Sequence, residues 1–113
     1  MNKVELQKMS DEKFQKWFKK NYPLSMLEKK FKQSASKGYS GYQINLTEGV
    51  EDSEERLMLN NPLFLKSIKD MFPDLDVYFD NYEVKEFKIL IIGSGWHTTN
   101  HKRLVIRWGN SNE

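Results

Sequence analysis

The spacing of apolar side chains first changes at Gly38, and that change limits the chain to a fold mixing helices with sheet. Before it, Leu24, Leu27, Phe31 and Ala35 recur at intervals of three and four, the stripe of an amphipathic helix. After it, Tyr42, Ile44 and Leu46 alternate with Gly41, Gln43 and Asn45, the period of a half-buried strand. Gly38 is placed as the left-handed residue that ends the helix, with Lys37 beside it to complement the helix dipole.

Punctuation residues divide the rest. Ser10 is expected to cap a first helix that runs to about Lys20. Asp11 and Glu12 then fall in its first turn, and Met9 and Phe14 are spaced for a hydrophobic staple. Phe14, Trp17 and Phe18 share one face. Pro23 stops that helix and supplies the first residue of the next. The acidic stretch from Glu48 to Glu55 reads as a loop running into a helical turn from Ser53. Asn61-Pro62 is a cap and first-turn pair for a further helix, with Leu65, Ile68, Met71 and Phe72 inward and Pro73 as its stop.

The last third reads as sheet. Leu75, Val77 and Phe79 alternate with Asp76, Tyr78 and Asp80. Asn81–Glu86 is polar and is expected to turn. Phe87–Ile92 is apolar on both faces and is expected in the middle of the sheet. Gly93-Ser94-Gly95 breaks that run, and a polar loop to Lys102 leads into Arg103–Trp108. There Leu104, Ile106 and Trp108 face one way, and Val105 and Arg107 the other. The expected order is α-α-β-α-β-β-β, an α+β fold. Short connections favour a mainly antiparallel sheet of about four strands with helices packed on one face. One domain over residues 1–113 is expected, with residues 109–113 as a frayed tail.

Several function classes drop out. The chain has no cysteine, which excludes disulfides, thiolate nucleophiles and cysteine-ligated zinc. Residues 1–22 are charged and lack the apolar core of a secretion signal, and the longest apolar run, Ile89–Ile92, is far too short to span a membrane. A soluble, cytoplasmic protein is the expectation. The net charge of +2 combines +6 over residues 1–38, −7 over 39–83 and +3 over 84–113. Cancellation within the folded molecule is expected ahead of separate basic and acidic faces.

Chemistry-bearing residues give four candidate groups. His97 and His101 have helical metal-ligand spacing but sit in an expected loop, with no acid between Glu86 and Glu113, so solvated histidines and no metal are expected. Gly93-Ser94-Gly95 lacks the further residues of a phosphate-binding or nucleophile motif, and a hairpin glycine pair is expected. Asp74, Asp76 and Asp80 would need to converge with other carboxylates to hold Mg²⁺ for a nuclease. The acids Glu51, Asp52, Glu54 and Glu55, with Asp76 and Asp80, form either a solvated face or a surface for a basic protein partner, and Trp96 is a candidate anchor for such a partner. Lys16, Lys19, Lys20, Lys29 and Lys30, with Arg103 and Arg107, are the candidates if the chain binds nucleic acid, although no helix-turn-helix or RNA-binding motif accompanies them.

The lysine-rich helix ending Ser34-Ala35-Ser36-Lys37-Gly38-Tyr39, the strand Gly41-Tyr42-Gln43-Ile44 and the terminal Leu104-Val105-Ile106-Arg107-Trp108 resemble small accessory proteins of phages and mobile genetic elements of low-GC Gram-positive bacteria. The resemblance is one of style over most of the chain. It implies a non-enzymatic, cofactor-free protein that binds and modulates another protein, for example by inhibiting a host or phage regulator or a defence nuclease. A nucleic-acid-binding regulator using the N-terminal lysines is the alternative, and a metal-dependent nuclease the third. An exposed strand edge also leaves a homodimer open.

Overall fold

A computed structural model describes residues 2–89 and 94–109 of the chain. In order, the elements are α1 (Lys3–Asn21), α2 (Leu24–Ser36), β1 (Gly41–Asn45), α3 (Ser53–Leu59), α4 (Pro62–Met71), β2 (Asp76–Ile89) and β3 (Ser94–Arg107). The three strands form one antiparallel sheet in the order β1-β3-β2.

Local signals account for most boundaries. The Asn61 side chain accepts a hydrogen bond from the Leu63 amide ahead of Pro62. Asp52 caps α3 by accepting from the Glu55 amide at 2.8 Å. Pro23 stands one position earlier than expected, as the N-cap of α2. Gly38 closes that helix at φ +91°, where a side chain would be strained, while the Tyr39 amide reaches back to the Ser34 carbonyl. The Ser34 hydroxyl then donates to the Gly41 carbonyl at 2.6 Å and fixes where β1 begins.

Two expectations are corrected at the ends of elements. Ser10 does not cap α1. Asn2 does, its side chain accepting from the Glu5 amide at 2.9 Å, because Lys3–Met9 contains no helix breaker and extends the helix by two turns. Met9 is accordingly exposed, and the staple with Phe14 does not apply. Asn81–Glu86 does not turn, and the stretch to Lys102 is not a loop. Both belong to strands, with the ladder unbroken from Asp76↔Arg107 to Ile89↔Ser94. Two expected strands are thus one, which leaves three in the sheet. Phe87 lies on the edge strand instead of in the middle, and it is exposed. Residues 90–93, including the expected strand end and Gly93, are outside the described residues, as is most of the expected tail.

The core lies on one face of the sheet. Ile44 from β1, Val77 from β2 and Leu104 and Ile106 from β3 meet Phe14, Phe18, Leu27, Phe31, Met58, Leu59, Phe64 and Ile68 from the helices. Phe64 is fully buried, although the sequence stripe placed Leu65 inward in its stead. It joins α4 to α1 through edge-on contacts with Phe18 and Tyr22, with ring centroids 5.8 and 5.1 Å apart. A second aromatic group, Phe31, Tyr42, Phe72 and Trp108, closes the other end of the layer.

On β2 and β3 this core reaches no further than Phe79 and Leu104. Beyond them the pair continues as a two-stranded ribbon for about 30 Å, counting ten residues at strand rise. Residues such as Glu83, Lys85, Thr98 and Asn100, which share the parity of the core face, are exposed there. The radius of gyration is 17.5 Å, against about 13 Å for a compact chain of this size.

Phe64→Ala should lower the unfolding free energy by about 3–5 kcal/mol, whereas Phe87→Ala, which loses only its exposed cross-strand pair with Trp96, should lower it by about 1 kcal/mol or less. Urea titration followed by circular dichroism measures both. Equal losses would contradict this division between core and ribbon.

Candidate functional site

The base and the far half of the β2–β3 ribbon carry different chemistry. At the base, the open face of the sheet holds a network centred on Arg103. Its guanidinium donates to Asp80 Oδ2 at 2.7 Å from both Nε and Nη2, and Nη1 reaches Gln43 Oε1 at 3.3 Å. Asp80 and Arg103 are register partners and Gln43 comes from β1, so the network joins all three strands. The guanidinium also lies over the Tyr82 ring, 4.6 Å from its centroid. Tyr82 in turn donates its hydroxyl proton to Glu48 in the loop after β1.

That loop is fastened at several points. Thr47 Oγ1 bridges His101 Nδ1 and the Lys102 amide, each at 3.0 Å. Arg56 donates to the carbonyls of Val50 and Thr47, and the Asn60 amide to that of Leu46. His101 therefore serves to attach the loop. His97 and His101 alternate on one strand rather than one helix, which separates their backbones by about 13 Å and prevents both rings from sharing one ion.

Further out, Phe87 and Trp96 are cross-strand partners. Their rings meet edge to face at 5.4 Å, and they remain 53% and 71% exposed. No helix covers them because the core stops at the Phe79 level, where the Lys102 ammonium sits 4.0 Å from the Phe79 ring centroid. The pair leaves a large aromatic surface uncovered on the far half of the ribbon.

The sequence-derived candidates fall in three places. Trp96 is on the ribbon. Asp76 and Asp80 are on the open sheet face, where Asp80 is committed to Arg103. Glu51, Asp52, Glu54 and Glu55 flank the start of α3 within the helical layer; Asp52 serves as its cap, and Glu54 lies 3.6 Å from Lys13 of α1. The lysine candidates, Lys16, Lys19 and Lys20 on α1 and Lys29 and Lys30 on α2, are all exposed, but Arg103 and Arg107 lie across the sheet from them. Lys13, Lys16 and Lys20 border one cleft with Asp52 and Glu54, so positive and negative segments interleave. Among the described residues no three His, Asp or Glu side chains gather as a metal site, and Asp74, Asp76 and Asp80 do not form one.

Sequence reasoning missed the Arg103 network and Phe87. A signal existed: Asp76 to Ile89 contains no Gly or Pro. Carrying the alternation through it places Tyr78, Asp80 and Tyr82 on one face and Phe87 on the other. Comparison with known protein families, curated proteins and solved structures gives no match for this chain. What is established is the architecture: among the described residues, an α+β fold with four helices and a three-stranded antiparallel sheet.

The hydrogen bond to Glu48, then burial and the negative charge of Glu48, raise the Tyr82 hydroxyl above its ordinary pKa of 10.0. The fold thus favours neutral Tyr82. This contribution to stability is fully present below pH 10.0 and is lost as pH rises through the folded-state value. Glu48→Gln should return the Tyr82 titration, followed by NMR of its ring, towards pH 10.0. An unchanged titration would show that the carboxylate does not hold it.

Proposed function

We propose that this protein is a small non-catalytic binding domain that engages another protein through the β2–β3 ribbon and modulates it, most simply by inhibition. The observation that carries this reading is the exposed Phe87–Trp96 pair. Aromatic side chains offer large contact area at low entropic cost, and tryptophan is enriched among the residues that dominate interface energy. The free edge of β2 adds a row of unpaired backbone groups that a partner strand could use. In line with the style resemblance to phage and mobile-element accessory proteins, the target class is a host or phage regulator or a defence nuclease in the cytoplasm. The acidic residues Glu51, Asp52, Glu54 and Glu55 then serve capping, local pairing and solubility, with Trp96 as the anchor.

Nucleic-acid binding through Lys16, Lys19, Lys20, Lys29 and Lys30 is the second reading, supported by their exposure. One experiment separates the two. Tagged protein is used to capture partners from a Gram-positive lysate with and without nuclease treatment. A protein retained in stoichiometric amount after nuclease should be lost, by at least about tenfold, from a Phe87→Ser/Trp96→Ser variant with unchanged circular dichroism. Retention by that variant would overturn the ribbon as the binding element. Capture that depends on nucleic acid and on the lysines would favour the second reading.

A further inference from the structure

A cleft of about 450 Å³ lies between the helical layer and β1, away from the ribbon. This is within the usual size of small-ligand sites, about 300–1,000 Å³. Its walls include Trp17 and Tyr22 from the end of α1 and Tyr42 from β1, and the Trp17 and Tyr22 ring centroids are 5.6 Å apart and tilted by 48°. Asp52 and Glu55 approach from the start of α3, and Lys30 from α2. Asp52 is held in place as the cap of α3. The ion pairs among the described residues join Lys13 to Glu54, Lys66 to Asp70 and Arg103 to Asp80, and none of them engages Glu55 or Lys30.

We propose that this cleft binds an organic ammonium ion, held among the rings of Trp17, Tyr22 and Tyr42 that line it and balanced by Glu55. Aromatic faces carry the negative end of the ring quadrupole and attract a cation within about 6 Å, most strongly when water is excluded. Among the residues lining this cleft two carboxylates outnumber one lysine, and Lys13, Lys16 and Lys20 border the neighbouring cleft on the other side of Trp17 and Asp52, so the lining itself favours cations over anions. Burial, with the negative charge of Glu55 and the neighbouring Tyr42, raises the Tyr22 hydroxyl to about 12. Tyr22 thus stays protonated throughout the neutral range and leaves the anionic role to the carboxylates. The shared ligand chemistry is an alkylammonium group, either primary, as on a lysine side chain or free amine, or quaternary, as in choline.

The test is NMR titration of the full chain with butylammonium, with choline, and with the neutral isostere of choline in which carbon replaces nitrogen. Either cation should shift the Trp17 indole signal saturably, with a Kd on the order of 10 mM, and leave Trp96 in place. Which cation binds more tightly identifies the primary or the quaternary source. Glu55→Gln, an isosteric change on an exposed side chain, should weaken binding by about fivefold, and Lys30→Gln should strengthen it by removing a like charge. No saturable shift with either cation, equal binding of the neutral isostere, or unchanged affinity in Glu55→Gln would overturn the proposal.

Discussion

The structure depends on how β3 is held between its neighbours. Leu104 faces Ile44 on β1 and Phe79 on β2, and Ile106 faces Tyr42 and Val77. Those side chains form the floor of the core that the helices close, and Leu104 and Ile106 are both fully buried. Val105 between them is buried too, on the opposite face, between its cross-strand partners Gln43 and Tyr78. Because strands contributed from both sides of α3 and α4 must meet on β3, the pairing is non-local and the helices cannot assemble their core without it. Fully burying one such aliphatic side chain contributes roughly 1.5–3 kcal/mol, so these few positions outweigh the surface ion pairs, each worth about 1 kcal/mol or less.

The same arrangement explains which parts of the fold were legible in the sequence. The second helix, its Gly38 end, the Asn61-Pro62 start and the alternation of β1 each rest on local rules, and the structure follows them. The ribbon was not legible. Where the hydrophobic core reaches neither face, there is no selection for alternating apolar and polar residues, so Asn81–Glu86 and Thr98–Lys102 look like loops. Their strand conformation is set by pairing with each other, which no short window contains. The start of α1 was misread for a related reason: both Ser10 and Asn2 are good caps, and the solvated turns between them carry no apolar stripe to decide where the helix begins. Of the candidate site, Trp96 could be picked out as a tryptophan in polar surroundings, whereas Phe87 was hidden in an apolar run that appeared to belong to the core.

Charge is distributed by the fold to similar effect. The basic N-terminal and acidic middle segments meet in the helical layer, where Lys13 approaches Glu54 and Asp52 turns its carboxylate to an amide. On the other face, Arg103 takes up Asp80, and Glu48 takes up Tyr82. Of the charges that seemed available for a partner, Asp52, Glu54, Asp80 and Arg103 are thus engaged within the molecule. The ribbon differs: its aromatic pair has no role in the core and no cover, while the aromatic cleft beside α3 lies on the helical side of β1. The two proposed sites therefore lie on separate parts of the fold.

The sheet is anchored in the core as far as the Leu104 level, and β2 and β3 run beyond it as a ribbon. Hydrogen–deuterium exchange resolved by residue tests this most directly, since local opening and global unfolding give different protection. Paired amides near Val77, Leu104 and Ile106 should exchange only through global unfolding. Those between Val84 and Phe87, and between Trp96 and Thr99, should exchange faster, through local opening of the ribbon. Equal protection along the whole of β2 and β3 would contradict the account, because it would mean that the far half is covered by the core.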